Sequence, residues 1–358
     1  MFMTGIADRK KNKAIAWWLL TGVFMIIVQV LLGGITRLTG SGLSITEWKP
    51  IMGALPPLGD EQWSAAFEKY KQIAQFKYLN NHFTLDDFKF IFFWEWFHRL
   101  WARLLGVVFL VGFITFAVRR YFSKEMIHSL VILFLLGAMQ GLIGWIMVAS
   151  GLNDENLYVS HYRLAIHFIA ALVLLCYTFW FAMKLLIREE NRTYQPSLLK
   201  LSYIITFVLV LQLVYGAFMA GLKAASAAPS WPDINGEIIP SYLFTKNSLW
   251  QNLTQNTITI HFIHRTLAYI LVITVMIWTW RSFKLKDSLL KASRWVPLFF
   301  ILLQLLLGIF AVLNATTIIP GKFGVYEWVA QLHQLVAMFF LMAMIWMIYL
   351  LKGSAKAA

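Results

Sequence analysis

The segment Glu95-Trp96-Phe97-His98-Arg99-Leu100-Trp101-Ala102-Arg103 puts a carboxylate, an imidazole and two guanidiniums inside an apolar run long enough to cross a bilayer. Each ionisable group at that depth costs about 2.5–3.5 kcal/mol on insertion scales, so such groups mark function by default. An imidazole there can ligate a metal, and a carboxylate three residues away can take or give a proton. A weaker copy, His261-Phe262-Ile263-His264-Arg265-Thr266-Leu267-Ala268, follows on another apolar run. His98 and His264 are 166 positions apart, and so are His167 and His333.

The background to these residues is that of a polytopic membrane protein. The 358 residues are 59% hydrophobic and 13% charged, about half the charged fraction of an average soluble domain. Mean hydropathy is +0.66. The net charge of +14 does not point to nucleic acid, because the basic residues lie in short connections between apolar runs. The single cysteine, Cys176, excludes an internal disulfide and sits in an apolar run as a small packed side chain. The first apolar run is too long for a cleaved secretion signal, and the N-terminus lacks the Ser/Arg-rich character of an organelle transit peptide. These features favour a bacterial inner membrane over a mitochondrial one.

Eight runs satisfy the requirement of ~20 apolar residues: about 15–35, 91–117, 127–149, 160–187, 199–221, 257–280, 295–314 and 327–351. In lipid the backbone must satisfy its own hydrogen bonds, so all eight are read as helices. Lys and Arg outnumber acids at the N-terminus and after spans 2, 4, 6 and 8, which places both termini in the cytoplasm. The long first outer loop, 36–90, opens with Gly-, Ser- and Pro-rich turns. Its Trp63, Phe67 and Tyr70 then fall at helical spacing, fitting either an amphipathic helix on the outer surface or an ordinary packed loop helix.

The halves repeat. Gln29-Val-Leu-Leu-Gly33 in span 1 answers Gln212-Leu-Val-Tyr-Gly216 in span 5, and Gln140-Gly-Leu-Ile-Gly144 in span 3 answers Gln304-Leu-Leu-Leu-Gly308 in span 7. Four spans per half make the repeat parallel. The expected fold is an all-α polytopic membrane protein whose eight transmembrane helices form two repeat-related four-helix bundles, residues 1–190 and 191–358.

His98, His167, His264 and His333 lie on the four spans running from outside to inside, each ~10 Å below the outer surface at 1.5 Å per residue. A bis-histidine haem needs one imidazole from each of two facing helices at matched depth, and the repeat supplies that twice. One such histidine alone would as readily be a hydrogen-bonded neutral side chain at a helix interface; four in two repeat-related pairs favour iron. Zinc lacks the cysteines or carboxylates it would need nearby, and no C-x-x-C-H exists for covalent haem. Arg163, four residues before His167, and Arg37, where span 1 leaves the membrane, are candidates for haem propionates. Arg99 and Arg265 adjoin their histidines and suit either propionates or backbone carbonyls. His161 and His261 lie at or near the outer ends of spans 4 and 6, while His82 and His128 read as solvated or interfacial. Where the first half carries Glu95, three residues before its histidine, the second carries His261. That asymmetry marks the first pocket as the reaction site and Glu95 as its acid, base or cation stabiliser; the competing reading is an ion pair with Arg99 or Arg103.

TRLTGSGLSITEWKPIMGALPP (36–57), EWFHRLWAR (95–103), QGLIGWIMVASGL (140–152), YRLAIHF (162–168), HFIHRTLAY (261–269) and LHQLVA (332–337) resemble the haem A synthase family, particularly its alphaproteobacterial and mitochondrial-like branch, over nearly the whole chain. The resemblance implies oxidation of the C8 methyl group of haem O to a formyl group by successive hydroxylations, giving haem A for cytochrome oxidase. It implies a haem b cofactor held by the iron ligands His264 and His333, substrate haem held by His98 and His167, and a catalytic Glu95. Two departures stand out: the outer-loop cysteine pair of some members is missing, and His261 replaces an expected glutamine.

Two other classes compete. A di-haem b-type, quinol-linked electron-transfer subunit would use the same histidines but leave both haems unchanged. A repeat-built transporter would leave four depth-matched histidines unexplained. The assigned reaction implies handover partners, haem O synthase upstream and a cytochrome oxidase assembly factor downstream, besides the bilayer; it leaves open a homo-oligomer, the electron donor or acceptor and the terminal oxidant.

Overall fold

The computed structural model describes residues 6–47, 52–285, 288–319 and 323–353. Eight helices among them are long and apolar enough to cross a membrane. They are α1 (Ile6–Leu38), α2 (Leu85–Val118), α3 (Lys124–Ala149), α4 (His161–Leu186), α5 (Pro196–Gly221), α6 (Thr257–Ser282), α7 (Val296–Leu313) and α8 (Val325–Leu351). Shorter helices fill the connections, notably Asp60–Tyr70 and Leu249–Gln255.

Six of the eight helices begin and end within three residues of the expected spans, because their caps sit where the apolar runs stop. Ser123 starts α3 by accepting from Met126 N, and the Asn256 side chain starts α6 by accepting from the backbone of Ile258 and Thr259. Two helices overrun. The polar first turns of α1 continue its helix before the apolar run, and α2 begins at Leu85 because Thr84 and Asp87 form a capping box. The Thr84 N–H donates to Asp87 Oδ2 at 2.8 Å, and the Asp87 N–H returns a bond to Thr84 Oγ1 at 3.3 Å.

The extra turns of α2 carry Phe88, Ile91 and Phe92 upward to a second small core. There the helix Asp60–Tyr70 docks with Phe67 and Tyr70 buried, and the Phe67 ring stacks on Phe88 at 5.1 Å. The outer-loop helix is thus a packed one, and its aromatic face meets protein. Phe88 is fully buried at the centre of this cluster. Phe88→Ala is expected to cost about 3–5 kcal/mol, seen as faster proteolysis within residues 58–80 while the membrane helices stay protected.

The halves share one packing plan. In the first, α1 packs on α2 and α4, and α3 on α4; in the second, α5 packs on α6 and α8, and α7 on α8. They join where α4 meets α5, α1 meets α8 and α8 meets α4, as parallel repeats about an axis along the membrane normal would. The main core lies along this seam, with Ile15 and Leu19 of α1, Leu175 of α4, Ile205 of α5 and Met338, Phe340 and Met344 of α8. Across it, Gln331 and Gln334 of α8 donate to the carbonyls of Leu31 and Val30, both at 3.0 Å. One contact breaks the symmetry. Helices α6 and α7 pack together, whereas α2 and α3 touch at most marginally, leaving the first half less closed between these two helices.

Candidate functional site

Each of the four histidines meets a glutamine and a glycine from the preceding helix. On α1, α3, α5 and α7 the motif Gln-x-x-x-Gly places the two side-chain positions one turn apart on the same face. A Cβ added to Gly33 would lie 3.3 Å from His98, to Gly144 2.9 Å from His167, to Gly216 3.3 Å from His264, and to Gly308 3.0 Å from His333. Only glycine lets these imidazoles lie so close to the neighbouring backbone. The amide nitrogens of Gln140, Gln212 and Gln304 lie 3.2, 3.3 and 3.1 Å from a ring nitrogen of His167, His264 and His333, and Gln29 donates to the His98 carbonyl at 3.2 Å.

The structure brings His264 and His333 together with ring centroids 6.4 Å apart. A metal bound by two imidazoles at about 2.0–2.1 Å per bond separates their centroids by roughly 6.3–6.5 Å. Nδ1 of each ring is buried without a hydrogen-bond partner. Such orphaned nitrogens are rare in native proteins and call for an explanation, and two buried imidazoles at this centroid separation fit a metal centre. In the first half, His98 and His167 lie within electrostatic reach of one another, but no ring contact joins them among the described residues.

Glu95 is 2% exposed and its oxygens are engaged. Oε2 accepts from Ser44 Oγ at 2.7 Å and from the Ile45 N–H at 2.8 Å, while Arg99 pairs with Oε1 at 2.5 Å. Arg99 also donates to the carbonyls of Ile45 and Glu47. The repeat-related residues do the same work on the second outer loop. The Nε2 of His261 lies 2.8 Å from the Ala224 carbonyl, and Arg265 donates to the carbonyls of Ala228 and Asp233 at 3.0 and 2.6 Å. The chemistry is inverted, a carboxylate that accepts from a loop against an imidazole that bonds a loop carbonyl, but the geometry is shared. Of the two fates open to Arg99 and Arg265 in the sequence, the structure realises the backbone carbonyls. His261, turned to its loop, does not join the His264–His333 pair.

Around the anchors, burial pushes the Tyr70 hydroxyl up to about 12, against the Asn80 hydrogen bond and with the Glu95 charge adding to the rise. The Asp233 carboxyl is held below its ordinary range by hydrogen bonds from Ser230 and the Gly236 N–H, with Arg265 nearby.

Arg37 crosses the seam. Its guanidinium donates to the Ala220 carbonyl at the end of α5, with Tyr326 and Glu327 of α8 within electrostatic reach, so it belongs with the second pair. Arg163 stays in the first half. It donates to the Ile146 carbonyl of α3 at 2.9 Å and lines an open polar pocket with Ser150, Asn153, Asn156 and Ser160. His161 bonds the Thr254 carbonyl; His82 and His128 are exposed. Residues 48–51 of the first-loop motif lie outside the described residues. The glutamines and glycines are the site residues for which sequence reasoning offered no role beyond the repeat. Their signal was there, a Gln-x-x-x-Gly before every histidine helix, but nothing in the sequence said which helix faces that histidine.

An all-helical membrane protein built from two parallel repeats, each closing helix pairs around two intramembrane histidines, is the class that this fold and site define. The chain belongs to the COX15-CtaA family of cytochrome oxidase assembly proteins, whose family model matches residues 16–349. Similar proteins include a Heme A synthase of Rhodospirillum centenum, 43% identical over 76% of this chain and 73% of that one. The Heme A synthases of Parvibaculum lavamentivorans (39% identical; 90% and 95% covered) and Flavobacterium johnsoniae (37%; 96% and 99%) match nearly end to end.

Proposed function

We propose that this protein is a haem A synthase: it oxidises the C8 methyl group of haem O to a formyl group in its first half, residues 1–190, using a haem b held in its second half, residues 191–358. The observation that carries the reading is the pair of buried imidazoles, ring centroids 6.4 Å apart and Nδ1 of each without a partner, in a chain of this family. Bound at His264 and His333, a haem iron supplies one-electron redox chemistry. The residues around it orient and enclose: Gly216 and Gly308 admit the rings, and Arg37 is placed to meet an acidic group entering between α5 and α8. In the first half, His98 and His167 bind the substrate iron, in the half whose α2 and α3 make little contact. Arg163 sits where a propionate at the outer end of α3 would meet it. Glu95 stands one turn before His98, where a carboxylate can accept a proton from, or stabilise positive charge on, the carbon being oxidised. The charge pattern supports termini in the cytoplasm of a bacterium, with both sites towards the outer face of the inner membrane.

The test is expression with a source of haem O, followed by extraction and chromatography of the non-covalent haems. Haem A is expected with the parent chain and not with His98→Ala. Haem b alone, at two per chain, would make the protein a di-haem electron carrier instead.

Gly144→Leu gives a sharper check of the first site. Its side chain would enter the space of the His167 ring, so retention of substrate haem is expected to fall at least tenfold, while the haem b spectrum of the second half stays unchanged.

A further inference from the structure

Between α2 and α3 the first half keeps a slot that the second half fills. At the end of the slot away from the outer loops, Phe109 of α2 stacks on Phe134 of α3 with ring centroids 6.5 Å apart. From this stack back towards the histidines, the same face of α2 carries Gly106, Ala102 and His98, and the same face of α3 carries Gly137 and Gly141. A Cβ added to Gly106, Gly137 or Gly141 would meet nothing within 4 Å among the described residues, while one on Gly144 would reach His167. Ala102, Gly106 and Gly141 are exposed. The slot thus runs from the His98–His167 pair to an aromatic floor, ~16 Å away at 1.5 Å for each residue from His98 to Phe109.

The repeat shows what closing such a slot takes. The places of Ala102, Gly106 and Phe109 are held on α6 by Ala268, Val272 and Val275, and those of Phe134, Gly137 and Gly141 on α7 by Leu298, Ile301 and Leu305. Val275 is fully buried and Ile301 is 3% exposed; Val272 and Leu305 are half-buried. Helices α6 and α7 pack together through these side chains' faces, where α2 and α3 barely touch.

Resting on the assignment of the two sites above, we propose that the slot seats the farnesyl tail of haem O, and that its filled counterpart restricts the second site to a haem without one. Haem O is set apart from haem b by that apolar tail, and a chain of three isoprene units suits a slot of this length. In a bilayer the tail gains little merely by leaving lipid, whose chains are as apolar as the helices. The slot acts by shape, and its shape fixes the orientation of the macrocycle. With its propionates towards Arg163, a haem can still be turned over to present either of two methyl groups, at C8 or at C5. Haem O carries its tail on the flank that holds C8. Glu95 shares a stripe of α2 with Ala102 and Gly106, at i, i+7 and i+11, so the carboxylate and the slot lie to the same side of His98. A tail seated in the slot therefore brings C8, and not C5, to Glu95.

The test is titration of the haem b-loaded protein in lipid nanodiscs, once with haem O and once with further haem b, read by absorbance. First-site binding is the part of the signal that His98→Ala removes. Gly141→Leu, which copies the second half, is expected to weaken haem O binding roughly tenfold and to leave haem b binding at that site unchanged. Alanines at Gly106 and Gly141 together add only two methyl groups in open space and suit a helix better than glycine. That protein is expected to assemble even if Gly141→Leu does not, and to bind haem O about threefold more weakly than the parent. Parent-like haem O binding in both variants would overturn the proposal, as would equal weakening of haem O and haem b, which would mean damage to the pocket and not to a tail slot. A parent that binds haem O no better than His98→Ala would instead refute the substrate site on which the proposal rests.

Discussion

His264→Ala and His333→Ala proteins are expected to lose their haem b and all conversion of haem O, whereas His98→Ala and His167→Ala keep haem b and lose conversion alone. The two pairs occupy equivalent places in a repeated fold, so any difference between them reports their separate roles. Removing one imidazole from the His264–His333 pair would leave a bound iron only one of the two buried rings that would hold it. The protein also loses whatever stability the bound group lends to the folded state by mass action. His264→Ala and His333→Ala should therefore melt at lower temperature than the parent, and His98→Ala, whose ligand exchanges, should melt close to it. The readouts are the reduced-minus-oxidised haem spectrum, extracted haem per chain and the thermal midpoint in detergent. A chain that kept full haem b after His333→Ala would remove the cofactor from the second half.

The eight spans were legible because membrane helices must satisfy two simple rules, length and apolarity, and caps at Ser123 and Asn256 start two of them near the edges of the runs. The repeat was legible because its histidines keep one interval. Which helix faces which was not, since all eight are apolar on most sides and lipid does not distinguish their faces. The partners of each histidine, Gln-x-x-x-Gly on the preceding helix, come from that hidden packing. So does the seam that carries Arg37 of the first half to Ala220 of the second. The docking of Asp60–Tyr70 was equally hidden, because the apolar face that receives it belongs to turns of α2 lying before the span expected from hydropathy.

Glu95 is the residue at which sequence and geometry pull apart, and substitutions there are expected to separate two jobs. Its carboxylate accepts from Ser44, the Ile45 N–H and Arg99, so it clamps the first outer loop to α2 in addition to standing beside His98. Glu95→Leu strips the counter-charge from a guanidinium that is only 16% exposed and strands two further donors. Breaking a buried pair in this way costs about 3–5 kcal/mol, and the loop should become protease-sensitive. Glu95→Gln keeps an oxygen for Ser44 or Ile45 and leaves Arg99 its bonds to the carbonyls of Ile45 and Glu47. Its loss of stability is expected to be smaller, about 1–2 kcal/mol, with both haems still bound. It has nevertheless lost the charge that could accept a proton or stabilise a cation, so conversion of haem O should fall by about 10²–10⁴-fold, the usual contribution of a positioned acid or base. The haem product ratio and the loop's protease sensitivity, measured on the same samples, decide between the two jobs. A Glu95→Gln protein that makes haem A at the parent rate, with the loop intact, would reduce Glu95 to a clamp.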